Sequence, residues 1–459
     1  MTVFRIKGKL VLASMVVGFT SPELFAQVAD RGLSPPSNTL SSFQNASIAR
    51  DSGLNQPLDL LNDFYPAIAV IVSDHQNVRR RPDFDEEDLK VTINPSLAYR
   101  TNVGRHQFYA AYNGTITYHD EITQEDSSSN RVDANLGLDL SRRWDVTVFG
   151  GFGDGVEERG ISGGLEFDRF ANNGIANGPE KIDYLNYGAD LIFGRKTGIV
   201  TAVLGYEYGE SDFRSSDLLN QEDSRTRDRS TESVHFDLNW QFASKTSAFV
   251  RVQRTETNFS AQTVNIDNDQ TDFLVGVRVK ATNKLNGVLS VGRSDRDFDD
   301  PSREGYDDNA YYVNVNYSIT PFSVLSFNAS RLVEEPSAID SSFYESELFG
   351  LAWNHALTPK LSLELYGKLI DDDYDIERQD EFTDWGVGLD YSWRRWLSTG
   401  VFYGEIERES TLSELDYEDK YFGIRLQSDL RSLLRGRGRN DTTIEPSSFG
   451  LPKKTQRTR

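Results

Sequence analysis

The sequence predicts an all-β fold, a transmembrane antiparallel up-and-down β-barrel of about 18 strands, or about 16 on a stricter count. Apolar and polar residues alternate with period two from about Tyr65 to Leu430, which is the pattern of strands with one apolar and one polar face. The connections between these segments are short and often basic, then long and acidic, in regular turn. Short periplasmic turns and long external loops are typical of outer-membrane barrels.

The alternation can be followed along individual segments. In 311–319 the odd positions are aromatic or β-branched, and Asn314 and Asn316 lie between them. In 234–242 the even positions are apolar, and His235, Asp237 and Asn239 lie between them. The predicted strands begin near Tyr65, Leu89, His106, Val132, Trp144, Ile182, Ile199, Ser233, Thr246, Thr271, Leu285, Tyr311, Phe322, Glu345, Leu361, Phe382, Leu397 and Lys420.

The two kinds of connection differ in length and charge. The short ones include Arg142-Arg143, Thr320-Pro321 and Thr358-Pro359. The long ones are predicted at 120–131, 157–181, 214–233, 299–310 and 371–381. A short turn with its two flanking strands is one hairpin, so the recurring Thr-Pro units are hairpins of one closed sheet.

The chain ends are predicted to lie outside the barrel of residues 64–430. Basic residues, an apolar run at 10–19 and the small residue Ala26 predict a secretory signal peptide at 1–26. Residues 27–63 read as a flexible periplasmic leader, or as a short plug. Residues 431–459 carry eight basic and two acidic side chains, and they read as a disordered tail or as a contact for an anionic partner.

Composition argues against several classes of function. The net charge of −22 opposes nucleic-acid binding, and the absence of cysteine excludes disulfides. The five histidines lack metal-ligand spacing, so no metal or cofactor is predicted. His119 beside Asp120 is the one candidate pair for a hydrolase, and the prediction is that the protein is not an enzyme.

Carboxylates crowd several predicted loops, for example at 371–375 and 414–419. One interpretation is a solvated outer surface. The alternative is the binding of divalent cations that bridge to lipopolysaccharide, since hard cations prefer oxygen ligands.

One stretch resembles a known family. Residues 66–119 contain Pro95-Ser96-Leu97 and the turn Gly104-Arg105, with a degenerate Tyr-Asp-Asp-Asn element at 73–77. A clean Tyr-Asp-Asp-Asn element occurs at 306–309, and Thr-Pro hairpins follow at Thr320 and Thr358. These features are similar to the proteobacterial putative β-barrel porin 2 family. That resemblance implies an outer-membrane exit channel linked to exopolysaccharide secretion.

The expected function is a passive conduit for an exopolysaccharide in the outer membrane of a Gram-negative bacterium. The alternative is a diffusion porin for small polar solutes, with 157–181 folded inward. Expected partners are outer-membrane lipid and lipopolysaccharide, the polysaccharide or solute, and a periplasmic export protein. Tyr109 and Tyr312 either stack on sugar rings or fill space. The predicted lumen-lining residues are Asn94, Asn135, Asp139, Asn186, Asp190, Asp237, Asn239, Arg251, Arg278, Asn314, Asn316, Asn328, Glu364, Asp384, Asp390 and Arg425.

Overall fold

The computed structural model describes residues 64–80, 86–157, 160, 179–194, 198–214, 225–261, 266–279, 284–336, 341–394 and 396–430. The predicted signal peptide, leader and C-terminal tail lie outside these residues. In the described part of the chain, no helix is both long and apolar enough to cross a membrane.

Eighteen strands make up one antiparallel sheet. They are β1 Phe64–His75, β2 Asp88–Val103, β3 His106–His119, β4 Ser127–Asp139, β5 Trp144–Glu157, β6 Glu180–Gly194, β7 Val200–Arg214, β8 Arg229–Ala243, β9 Thr246–Phe259, β10 Asn268–Val279, β11 Leu285–Phe298, β12 Tyr306–Thr320, β13 Ser323–Glu334, β14 Tyr344–Ala356, β15 Leu361–Tyr374, β16 Gln379–Arg394, β17 Leu397–Ser410 and β18 Tyr417–Asp429. Within the described residues, short 3₁₀ helices lie at Thr123–Glu125 and Ser413–Leu415.

The sheet closes on itself through its first and last strands. β1 pairs with β2 along its whole length and with β18 from Ala67–Asp429 to His75–Tyr421. Each strand from β2 to β17 pairs with the strands before and after it in sequence. Closure leaves no strand edge to face lipid, where unpaired backbone groups would have no hydrogen-bond partner. The predicted 18-stranded barrel is therefore confirmed.

The two faces of the barrel differ in chemistry, as the alternation predicts. On β8, Phe236, Leu238 and Trp240 are exposed on the outer face. Between them, His235 and Asp237 are almost completely buried inside the barrel. The outer face is thus the apolar surface that contacts lipid, and the inner face is polar.

The turn ends of the strands lie close to their predicted positions, but several loop ends do not. β4 begins at Ser127 and β12 at Tyr306, each five residues before the predicted start. Pairing continues above the lipid-facing band because the backbone still gains hydrogen bonds where most side chains are polar. The interpretation of 371–373 as an exposed loop is wrong, because these residues lie within β15 and Asp372 is fully buried.

Candidate functional site

The barrel interior is the candidate site, and the strand register places the predicted lumen residues on it. Asn314 lies opposite Asn328 on the inner face, and Asn316 lies opposite Ser326. Alternation from such pairs puts all the predicted residues on the same face. Their role in lining a transport pathway stays a prediction.

One charged cluster lies on β6 to β10. Arg251 donates from Nε to Asp237 Oδ1 at 2.6 Å and from Nη2 to Oδ2 at 2.9 Å. Both residues are almost completely buried, at 2% and 0% exposure. His235 Nε2 lies 3.6 Å from Asp190 Oδ1, and Glu207 is buried beside them. The register brings these residues together because they occupy inner positions of adjacent strands.

Arg278 extends this cluster toward the periplasmic end. It donates to the side-chain oxygen of Asn239. Its guanidinium also lies over the ring of Phe249, 4.0 Å from the centroid. A guanidinium held on an aromatic face is stabilised by the ring quadrupole, so Arg278 is kept against the wall.

A second charged cluster lies on β15 to β18. Arg425 donates from Nε to Asp390 Oδ1 at 2.8 Å and forms an ion pair with Glu364. Glycines at positions 388 and 400 lie beneath these side chains. Because they have no side chain, the long arginine can lie flat along the wall.

Between the clusters runs a neutral strip of amides and hydroxyls on β12 and β13. Ser326 donates from Oγ to Asn316 Oδ1 at 2.7 Å, and Asn316 donates to Asn314 Oδ1 at 3.3 Å. Asn328 faces Asn314 across the ladder. These partly exposed groups can donate to and accept from a passing polar molecule.

Aromatic rings lie over glycines on the inner wall. Phe249 covers Gly276 on the next strand, and Phe402 covers Gly423. The same arrangement holds for Phe149 over Gly188. Each ring lies along the wall instead of projecting into the interior, and it packs where a side chain on the glycine would collide with it.

Buried ion pairs also gather at the external end of the barrel. Asp380 accepts from Arg378 Nη2 at 2.6 Å, from Arg408 Nη2 at 2.9 Å and from Ser410 Oγ at 2.6 Å. Arg227 pairs with Glu180 at 2.7 Å. Sequence reasoning missed this group, because it treated the carboxylates near strand ends as solvated.

Gly160, which follows β5 in the sequence, contacts β18, five strands away around the barrel. Tyr417 on β18 donates from its hydroxyl to the carbonyl of Gly160 at 2.6 Å. Arg80 lies over the Tyr417 ring, 5.9 Å from the centroid. Gly160 thus touches two segments that are distant in sequence. The rest of 157–181, the predicted inward loop, lies outside the described residues except at its two ends.

A titratable group outside the strands caps the β7–β8 end. Asp228 accepts the backbone N–H of Phe213 at 2.6 Å. Burial raises the pKa of the Asp228 carboxyl, and the hydrogen bond from Phe213 opposes that rise without cancelling it. The Asp228 carboxylate thereby joins the start of β8 to the end of β7.

The hydrolase candidate His119–Asp120 lies at the external end of β3. His119 Nδ1 lies 3.5 Å from Asp126 Oδ1, while the backbone N–H of Asp120 donates to Asp88. Within the described ranges, no group of three or more histidine or acidic side chains is placed to hold a metal ion.

A family model matches the barrel, and several solved structures are similar to it at low identity. The family model for putative beta-barrel porin 2 matches residues 64–429. The structure of OpdK with vanillate from Pseudomonas aeruginosa is 9% identical, covers 80% of this chain and 99% of that chain, and has a TM-score of 0.43. The siderophore receptor PirA from Acinetobacter baumannii is 9% identical over 81% of each chain, with a TM-score of 0.39. No curated protein matches the chain.

Proposed function

The chain belongs to the putative beta-barrel porin 2 family, and on that premise we propose that this outer-membrane channel carries an exopolysaccharide outward. The barrel is porin-like and closed, with an apolar outer face and a polar interior. The proposed cargo is a long, neutral or weakly charged polyhydroxyl chain.

The observation that carries the proposal is the pairing of interior charges beside a neutral strip. Arg251 is paired with Asp237, Arg425 with Asp390 and Glu364, and Arg131 with Asp133. Pairing weakens the field of these charges, so they attract or reject a solute by its charge less strongly than unpaired groups would. The Asn314, Asn316 and Asn328 amides supply donors and acceptors without net charge.

Such a wall suits a polymer that must keep moving. Each sugar hydroxyl can exchange one weak hydrogen bond for another along the amide strip, at a small net change in free energy. A conducting pathway must bind its cargo well enough to admit it and weakly enough to release it. Inner-face aromatics such as Tyr109 and Tyr312 add flat surfaces on which a sugar ring can stack.

The test measures polymer at the cell surface and in the medium for the source strain, a gene deletion and the complemented strain. We expect polymer outside the cell to be lost on deletion and restored on complementation. The triple substitution Asn314→Leu, Asn316→Leu and Asn328→Leu should lower export severalfold. A matched control is Val313→Leu, Val315→Leu and Phe327→Leu on the outer face of the same strands. Unchanged polymer in the deletion strain would overturn the proposal.

The side chains at the external end of the barrel favour a second candidate function, a porin for small solutes. Buried pairs such as Asp380–Arg408 and Glu180–Arg227 line the wall at this end, and this packed arrangement favours small solutes over a polymer. Liposome swelling with purified barrel separates the two functions. Swelling in small sugars together with unchanged polymer export would establish the small-solute porin.

A further inference from the structure

The wall of the barrel is incompletely paired between β12 and β13. Their ladder ends at Tyr311–Arg331. The β11–β12 ladder continues to Arg296–Tyr306, and the β13–β14 ladder continues to Glu334–Tyr344. Within the described strands, Tyr306–Ala310 and Leu332–Glu334 are therefore paired on one side only. We call this V-shaped gap the seam.

Side chains hold the seam together where the backbone ladder does not. Arg331 on β13 donates from Nη2 to Asp308 Oδ2 on β12 at 2.8 Å, and its Nε lies 2.7 Å from Glu345 Oε1. Tyr306 donates from its hydroxyl to Glu345 Oε2 at 2.6 Å. Arg331 and Glu345 thus link β12 to β13 and β14. Their side chains are 26% and 19% exposed, so water reaches the pair.

A cavity joins the seam to the interior. It has a volume of about 90 Å³, and its lining includes Arg251 and Gln253 on the inner wall as well as Tyr311, Arg331 and Val333 at the seam. Arg296 also reaches from β11, with Nη1 3.0 Å from Glu335 Oε1 and Nη2 3.4 Å from the carbonyl of Val333. The interior and the outer side of the wall are therefore separated here by side chains.

The seam lies at the external end of the strands, where β12 can separate from β13 without exposing backbone groups to hydrocarbon. The outward side chains beside it are polar, including Asp307, Glu345 and Glu347. This chemistry fits the headgroup region, where water can satisfy backbone groups that hydrocarbon could not. The partly exposed Arg331 pair contributes little compared with a continuous backbone ladder, and the buried Arg296–Glu335 pair is the stronger of the charged contacts that cross the seam. The seam is thus a part of the wall where strands can separate without breaking ladder hydrogen bonds.

We propose that the seam is a lateral opening in the barrel wall, held shut by the Arg331 latch to Asp308 and Glu345 together with the Arg296–Glu335 pair. When the latch is released, β12 and β13 move apart at their external ends, and the interior communicates sideways with the outer leaflet. This inference does not depend on which cargo the barrel carries.

The test is a pair of spin labels across the seam, measured by electron–electron double resonance in lipid nanodiscs. The chain has no cysteine, so Asn309→Cys with Leu332→Cys is labelled selectively. The control pair is Val313→Cys with Asn328→Cys, on the same two strands within the intact ladder. We expect the seam pair to show a short and a longer distance, and the control pair to show one distance.

The latch is tested by adding Arg331→Gln, which should shift the seam pair toward the longer distance. Arg293→Gln is the matched change, because Arg293 is an outward arginine paired with Asp307 where the β11–β12 ladder is intact. If Arg331→Gln fails to fold, raised salt in the labelled protein screens the same partly exposed pairs. One narrow distance for the seam pair under all these conditions would overturn the proposal.

Discussion

Arg425 on β18 reaches Glu364 on β15, two strands beyond its own neighbour, and also pairs with Asp390 on β16. The path is clear because the inner position opposite Arg425 on β17 is Gly400, and the one opposite Glu364 on β16 is Gly388. A Cβ on Gly388 would lie 3.0 Å from Glu364 Oε2 and 3.2 Å from Arg425 Nη2. The ion-pair network therefore depends on two residues that carry no charge.

Replacing Gly400 with valine should break the Arg425 network. A Cβ at that position would collide with Asp390 Oδ1 and lie 3.0 Å from Arg425 Nε. We expect a loss of about 1–3 kcal/mol in the free energy of unfolding, the range for overpacking. Urea titration of the barrel in lipid vesicles measures it. Gly137→Val is the control, since an added Cβ there would meet only Gln107 at 3.7 Å or more. Equal losses for the two variants would contradict the role given to Gly400.

Removing one partner of the Asp237–Arg251 pair should cost more than removing both. Asp237→Asn leaves the Arg251 guanidinium buried without its counter-charge, and such changes cost about 3–5 kcal/mol. The double variant Asp237→Leu, Arg251→Met removes both charges and should lose less. The fraction of barrel that resists unfolding in warm detergent, read as a mobility shift on gels, ranks the variants. A double variant less stable than Asp237→Asn would contradict this account.

Much of the fold follows from the sequence because a strand has a fixed period. Once alternation was assigned, the side of Asp237, Asn314 or Glu364 followed without knowledge of any contact. The turn ends were predicted well because basic and Thr-Pro turns stand next to apolar strand residues. The loop ends were not, because residues such as Ser127 and Tyr306 extend strands above the lipid, where polarity no longer alternates.

The partners within the interior could not be predicted in the same way. Asp237 and Arg251 were both assigned to the lumen, but their pairing requires the register of the β8–β9 hairpin. That register contains an irregularity between Trp240 and Ala243, which no pattern in the sequence marks. The contact between Arg425 and Glu364 is harder still to predict, because it depends on which inner positions of two other strands are glycine.

The free-energy cost of a charged residue on the outer face should depend on its depth in the bilayer. Ile424 lies in the middle of β18 and is 54% exposed on the lipid-facing side. Ile424→Arg should destabilise the barrel by about 2–4 kcal/mol, the range for arginine at the bilayer midplane. Phe242→Arg, near the turn end of β8, should cost about 0–1 kcal/mol. Folding equilibria in vesicles compare the two. Similar costs would show that this face does not contact hydrocarbon as described.

The contact between Gly160 and Tyr417 can be separated from the backbone cost of a positive φ angle. Gly160 and Gly104 have φ angles of 65° and 63°, so alanine is strained equally at both positions. A Cβ on Gly160 would lie 2.9 Å from Tyr417 Cε1 and 3.2 Å from Arg80 Cβ, whereas one on Gly104 meets nothing within 4 Å.

We therefore expect Gly104→Ala to cost about 1 kcal/mol, from backbone conformation alone. Gly160→Ala should cost more, because Tyr417 and Arg80 must also move. Tyr417→Phe, which removes the hydrogen bond to the Gly160 carbonyl but keeps the ring, should cost about 0.5–1.5 kcal/mol. Unfolding in urea gives all three values on one scale. Equal costs for the two glycine variants would mean that the chain at Gly160 does not rest on β18, and that the mouth is less crowded than the Tyr417 contact indicates.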